Sequence, residues 1–356
     1  MRIVRVEVQR MPLPLREPYT IAYETVDSVT NLLVRLVTDG PHVGLGVAAP
    51  DAGVTGETLQ ACEAALLQVA APLLAGEDAL RRAWQVERLA EAMAGRPAAL
   101  AAVDQALFDL LGKVAGLPVW RMLGGYRTHI PTSVTLFITP TPDAVERAMA
   151  FVAQGFTAIK LKGGIDVDDD IERVHAVRAA IGPGVDLRFD ANQGYTVEQA
   201  CRFFEATRDA GLRLFEQPTP ASELGAMRKL VRAVAAPVMA DESVLSLADA
   251  FHFARNDAMD MVNLKLVKIG GLDAAMLMNG MARAAGLEVM VGCMDEAELS
   301  IAAGLAFALS RRNVEMADLD GHLDFTADPT AGCVRLEGGV LHPSEEPGFG
   351  IVDVVL

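Results

Sequence analysis

Cysteine is scarce in this chain of 356 residues, and its four copies, Cys62, Cys201, Cys293 and Cys333, lie too far apart to form metal-type pairs. That spacing excludes a disulfide-stapled scaffold and suits a reducing cytoplasm, with the thiols serving mostly as buried small apolar side chains. Positive charge is also short: 31 Lys and Arg stand against 47 Asp and Glu, a formal net charge of -16, and no basic cluster interrupts the excess. Nucleic-acid backbones and anionic membranes are therefore excluded as partners. Long apolar runs are missing too. Mean hydropathy is +0.27, yet stretches such as 64–75 fall well short of the ~20 residues that cross a bilayer. The opening MRIVRVEVQRMPLPL alternates like a strand and does not resemble a secretory signal. What is present is a globular composition, 51% apolar and 22% charged. The length fits one large barrel with an appended domain, or two ordinary domains.

Residues 2–10 and 30–37 alternate as antiparallel strands, with Pro12 and Pro14 interrupting between them and a turn at Asp39-Gly40. From Thr55, a plausible N-cap, the period becomes helical, and further helices are expected over 83–94 and 98–115, the latter closed by Gly116 and Pro118. The first 125 residues thus read as an α+β unit. A strand–loop–helix rhythm then repeats to about residue 320, with strands expected at 133–139, 158–162, 186–190, 213–216, 238–241, 261–265, 288–294 and 313–318, and amphipathic helices at 141–154, 169–180 and 196–210. Eight such steps match a TIM-type α/β barrel, whose chemistry gathers at the C-terminal strand ends. A doubly wound open sheet is the runner-up, but no glycine-rich phosphate fingerprint follows the first strand. Residues 321–356, rich in Gly and Pro, end in the strand-like 351–356 and return to the N-terminal unit.

Charged residues close these apolar strands in a particular order: Lys160 and Lys162 on strand two, Asp190 then Asn192 on three, Glu216 on four, Asp241 and Glu242 on five, Lys265 on six, Asp318 and Asp320 on eight. Three carboxylates on consecutive strands repel one another unless a cation sits between them. With no His or Cys nearby, the all-oxygen set Asp190, Glu216 and Asp241 favours Mg²⁺ over zinc. Asn192 and Glu242 follow as residues that orient those ligands or a base.

Strands two and six stand opposite in an eight-stranded ring. Lys160 and Lys162 share a face, so each is expected to lower the other's pKa, which leaves Lys162 as general base and Lys160 as its electrostatic partner. Lys265 supplies the second acid/base, and Lys268, in the following loop, is the weaker choice. A carbon acid held between two lysines suits 1,1-proton transfer, a racemisation or epimerisation through a metal-stabilised enediolate.

With these residues in view, the chain resembles the muconate-lactonising (mandelate racemase/muconate lactonizing enzyme) subgroup of the enolase superfamily. The likeness rests on Lys160-Leu161-Lys162, on the acids Asp190, Glu216 and Asp241, and on the run from Asn263 through Lys265 and Lys268 to Gly270-Gly271. It implies a (β/α)7β barrel over 126–320, an α+β capping domain over 1–125 completed by the tail 321–356, and a homo-oligomer. Asp318-Leu319-Asp320 and the segment Gly292–Glu296 are similar to dipeptide epimerases, where an acidic pair holds the substrate's free α-amino group. The alternatives are a muconate-type cycloisomerase, an o-succinylbenzoate synthase or an N-succinyl-amino-acid racemase, which leave that pair without a cation, and a non-catalytic binding protein on a decayed barrel. Thr135, at the end of strand one, is a further candidate for substrate contact.

Capping loops around Glu24 and Asp51 are expected to close over the barrel and read the side chain of the epimerised residue, with Asp295 and Glu298 adding negative charge from the end of strand seven. Members acting on Ala-Glu carry an arginine where Glu24 falls. The resemblance therefore implies cationic or non-anionic side chains in the preferred dipeptide.

Overall fold

The computed structural model describes residues 1–354 and Leu356. The N-terminal strands Ile3–Leu13, Val29–Thr38 and Val43–Ala48 form an antiparallel sheet in that order. Pro12 does not interrupt: it sits in register opposite Thr30 within the first strand, which lies on the edge of the sheet, where a missing N–H costs no ladder bond. Helix Pro97–Ala115 packs across this sheet. The approach is so close that a Cβ on Gly46 would stand 1.9 Å from the Ala102 carbonyl oxygen. Thr58, not Thr55, caps the helix Leu59–Ala65, its hydroxyl accepting from the Ala61 amide. Thr55 instead closes the preceding loop, donating to the Asp51 carbonyl at 2.7 Å.

Eight parallel strands follow: Val134–Leu136, Ala158–Lys162, Asp186–Asp190, Phe215–Glu216, Val238–Ala240, Met261–Lys265, Glu288–Gly292 and Val314–Asp318, each bonded to its sequence neighbour. A bridge from Thr132 to Ala317 brings the last strand back to the first and nearly closes a barrel. Helices link strands one to eight, but after strand eight the only helical piece among the described residues is the short 3₁₀ turn Gly321–Asp324. The fold is thus a (β/α)7β barrel. Leu214, Met239, Met261, Met290 and Met316 plug its lower end.

The tail departs from expectation. Its strands are Val334–Glu337 and Val340–Pro343, a hairpin that pairs with Ile130–Pro131 beneath the barrel. Residues 351–354 form no strand, and position 355 of the expected segment lies outside the described residues. The chain before that end still runs along the N-terminal unit: the Phe349 amide donates to Asp109 at 3.0 Å, and Asp353 pairs with Arg35.

Candidate active site

Parallel register sets the charged strand ends level. Lys162 stands beside Asp190, Asp190 beside Glu216, and Lys265 beside Gly292, which in turn neighbours Asp318. Lys160, Lys162, Lys265, Asp318 and Asp320 line one cavity at this rim, with Thr135, Asn192 and Glu242.

Asp190, Glu216 and Asp241 lie fully buried beneath that cavity. Among the described residues their oxygens do not form a ready coordination cluster, because each turns to a nearby cation or amide. Lys162 Nζ stands 2.7 Å from Asp190, Lys265 and Lys268 stand 2.7 and 2.6 Å from the two Asp241 oxygens, and Asn263 donates to Glu216 Oε1 at 2.7 Å. The other Glu216 oxygen has no hydrogen-bond partner. Burial and then the charge of Asp190 push Glu216 up to about 8. An orphaned, buried carboxylate oxygen between two further acids is the environment that a hard divalent cation relieves, so the donor set fits Mg²⁺.

Lys160 is not the pKa-lowering neighbour expected from sequence. Burial alone lowers it, but Asp318, Glu216 and Asp190 outweigh burial and hold it above the ordinary lysine value. It donates to Asp318 Oδ2. Lys162 instead rests between Asp190 and Asn192, 2.9 Å from the Asn192 amide oxygen, and Asn192 donates onward to Glu242 at 3.0 Å. Burial opposes charge on Lys265, yet Asp241 and Glu216 raise it well above its usual value. Lys268 lies in the one-turn helix Leu266–Ile269 rather than in a loop, wholly buried against Asp241 and the Asn263 carbonyl.

Asp318 and Asp320 occupy different environments. Burial raises Asp318, but Lys160 and the Ser133 hydroxyl more than reverse this, to about 2. Ser133 donates to it at 2.5 Å and itself accepts from buried Arg188 at 3.0 Å. Asp320 accepts from the Thr135 backbone amide at 2.6 Å, with the Thr135 hydroxyl also against it, and burial followed by the charge of Asp318 pushes it up to about 6. Thr135 thus meets the acidic pair through its main chain and its hydroxyl.

The N-terminal unit covers the rim. Tyr19, Tyr23, Glu24 and Asp51 line the same cavity, as does Asp295 from the loop after strand seven. Burial and then Asp51 raise Glu24, and burial raises Asp295, whose carboxylate accepts from the Tyr19 hydroxyl. Asn31 fastens the two units: it donates to the Asp295 carbonyl at 3.0 Å and accepts from the Ala297 amide at 2.9 Å. Glu298 stands apart from the cavity. Its carboxylate accepts from the Gly332 and Val334 amides at 2.8 and 2.9 Å and anchors the tail. It opens the helix Glu298–Ala308, and that geometry aims it at the tail hairpin rather than at the mouth.

Ser133 and Arg188 beneath Asp318 and Tyr19 on Asp295 lie outside the sequence reading, and Asn263, read there only as the start of the lysine-bearing run, holds Glu216. The signal for Asn263 was its inward position two residues before Lys265, with Gly292 beside it; a Cβ at 292 would fall 2.5 Å from the Asn263 amide oxygen. Ser133 and Tyr19 depend on contacts 185 and 276 residues away, which periodicity cannot register.

Residues 3–124 match the mandelate racemase / muconate lactonizing enzyme N-terminal domain, and residues 143–352 the enolase C-terminal domain-like family. The chain is 39% identical to the L-Lys-D/L-Arg epimerase of Desulforapulum autotrophicum, over 99% of both chains. The substrate-liganded L-Ala-D/L-Glu epimerase from Bacillus subtilis superposes with a TM-score of 0.96 at 35% identity, covering 100% of both chains. The dipeptide epimerase from Methylococcus capsulatus, complexed with Mg and L-Arg-D-Lys, gives 0.95 at 37% identity, covering 99% of this chain and 100% of its own. By both halves of its length and by these relatives, the chain belongs to the mandelate racemase/muconate lactonizing enzyme family of the enolase superfamily.

Proposed function

We propose that this protein is a Mg²⁺-dependent dipeptide epimerase, converting L-Xaa-L-Xaa to L-Xaa-D-Xaa by two-base 1,1-proton transfer in the cytoplasm. The observation that carries the reading is the sharing of one cavity by two lysines from opposite strands and by the buried acids Asp318 and Asp320. Asp190, Glu216 and Asp241 would hold the metal, which would supply positive charge for the substrate carboxylate. Asp320, which among the described residues forms no ion pair, takes the substrate's α-ammonium together with Asp318. This fixes the backbone at both ends and sets the α-carbon of the second residue between Lys162 and Lys265.

Lys162, as the free amine, forms an N–H bond with the α-proton as the C–H bond breaks. Lys265, whose ammonium form Asp241 favours, gives a proton to the opposite face. Glu24, Asp51 and Asp295 surround the side chain of that residue with negative charge, which suits a cationic side chain. The supporting relative at 39% identity is named for Lys and Arg.

An N-succinyl-amino-acid racemase would use the same metal ligands and lysines, but its substrate brings no ammonium to Asp318 and Asp320. The test is kcat/KM for a free L,L-dipeptide and its N-acetyl derivative. Acetylation strands two buried carboxylates and is expected to cost about 2–4 kcal/mol, roughly 30- to 1000-fold. Equal values would favour the N-acyl racemase.

A further inference from the structure

Lys162 is held by more than the groups at its ammonium end. Strand two runs out through Gly163 and Gly164 into the helix Val167–Ile181, and Asp170, in the first turn of that helix, turns back to the strand end. Its carboxylate accepts from the Gly164 amide at 2.8 Å, from the Tyr195 hydroxyl and from Arg173. Arg173 also donates to the Lys162 carbonyl at 3.2 Å. All three side chains are buried, and none of them lines the active-site cavity.

Tyr195 carries the cluster to the next strand. It follows the loop after strand three, where Gly194 lies so close to Gly164 that a Cβ on it would stand 2.1 Å from the Gly164 carbonyl oxygen. The same loop presents Asn192, whose amide oxygen accepts from Lys162 Nζ at 2.9 Å. Asp170 thus ties the backbone that carries Lys162 to the loop that carries its acceptor. A buried ion pair adds little net stability, since both charges are costly to desolvate, so what this one supplies is fixed geometry. Lys265 is held separately, by Asp241 at 2.7 Å and beside the Met294 sulfur at 3.8 Å.

We propose that Asp170, through Arg173 and Tyr195, is a positioning residue for Lys162 and not for Lys265, so that loosening it impairs proton transfer at one face of the α-carbon and spares the other. The inference rests on the two-base reading above, in which Lys162 serves the L,L epimer and Lys265 the L,D epimer. Misplacing a reacting group by about 1 Å is enough to cost on the order of 100-fold in rate.

The test follows deuterium in D₂O from L-Ala-D-Lys and from L-Ala-L-Lys. From the L,D epimer, Lys265 takes the α-proton and its ammonium exchanges with solvent. Either Lys265 then returns deuterium to the same face, or Lys162 delivers it to the other and completes the inversion. A displaced Lys162 favours return. Asp170→Asn should therefore raise the ratio of exchange to inversion from the L,D epimer at least about tenfold, and should not raise it from the L,L epimer, where Lys265 completes the inversion. Tyr195→Phe keeps the ring among Phe189, Phe203 and Phe215 and removes only the hydroxyl. It should raise the L,D ratio at least about threefold, and it carries the test if Asp170→Asn does not fold. A merely structural lesion lowers every rate together. Unchanged ratios, or equal rises from both epimers, overturn the inference. Lys162→Ala should exchange the L,D epimer without inverting it; if it does not, or if the wild type inverts neither epimer, the two-base reading falls as well.

Discussion

Asp318 and Asp320 are two residues apart on one strand end, yet the groups that meet them make them chemically different. Lys160 and Ser133 keep Asp318 ionised far below neutral pH, whereas Asp320, buried beside that charge, titrates near 6. Above about pH 6 Asp320 carries the charge that an ammonium requires; below it, protonation removes that charge. Accordingly kcat/KM should fall by up to about tenfold per unit as pH drops below 6. Asp320→Asn should be slow at all pH and should lack this limb. An unchanged acid limb in the variant would assign it to another group. Glu24 offers a second test at this scale: Glu24→Arg should raise kcat/KM for L-Ala-L-Glu relative to L-Ala-L-Lys by about tenfold or more. If the wild type already prefers L-Ala-L-Glu, the acids over the mouth do not read the side chain. The identities of the charged residues were legible in sequence because each ends an apolar strand. Their protonation was not, since the pairing of Lys160 with Asp318 joins residues 158 positions apart.

Each barrel strand was legible as an element, but its length was not. Strand four keeps two paired residues and strand one three, because closure of the ring decides where neighbouring backbones remain in register. The tail was misread for a related reason. The alternating 351–356 offers a strand pattern, yet 351–354 pair with no strand, while 334–337 and 340–343, joined by Gly338-Gly339 with positive φ at both, form the hairpin. The joint between the two units gives the prediction at this scale. Asn31 is 1% exposed and bridges the second N-terminal strand to the Asp295 loop with two hydrogen bonds. Asn31→Ala should destabilise by about 2–3 kcal/mol and raise KM severalfold while kcat changes by less than about twofold, since the reacting groups stand on the barrel. A fall in kcat at constant KM would place Asn31 in the chemistry instead.

Across the whole molecule, four buried acids, Asp190, Glu216, Asp241 and Glu242, meet at one rim, and Glu216 and Glu242 each leave an oxygen unpartnered. Folding therefore concentrates negative charge that a divalent ion offsets. Mg²⁺ at about 100 times its Kd should stabilise the native state by ~2.7 kcal/mol and raise Tm by about 3–4 °C over EDTA-treated protein, a difference lost in Glu216→Gln. Equal Tm with Mg²⁺ and with EDTA would remove the metal from this rim. The most direct test of the central claim is mass spectrometry of an L,L-dipeptide incubated with enzyme and Mg²⁺ in D₂O. With two bases on opposite faces, the early D-epimer should carry one deuterium at its second α-carbon while the remaining L,L-dipeptide stays largely unlabelled, and Lys162→Ala and Lys265→Ala should each abolish formation of that product. Unlabelled product, or full epimerisation by either lysine variant, would contradict a two-base transfer.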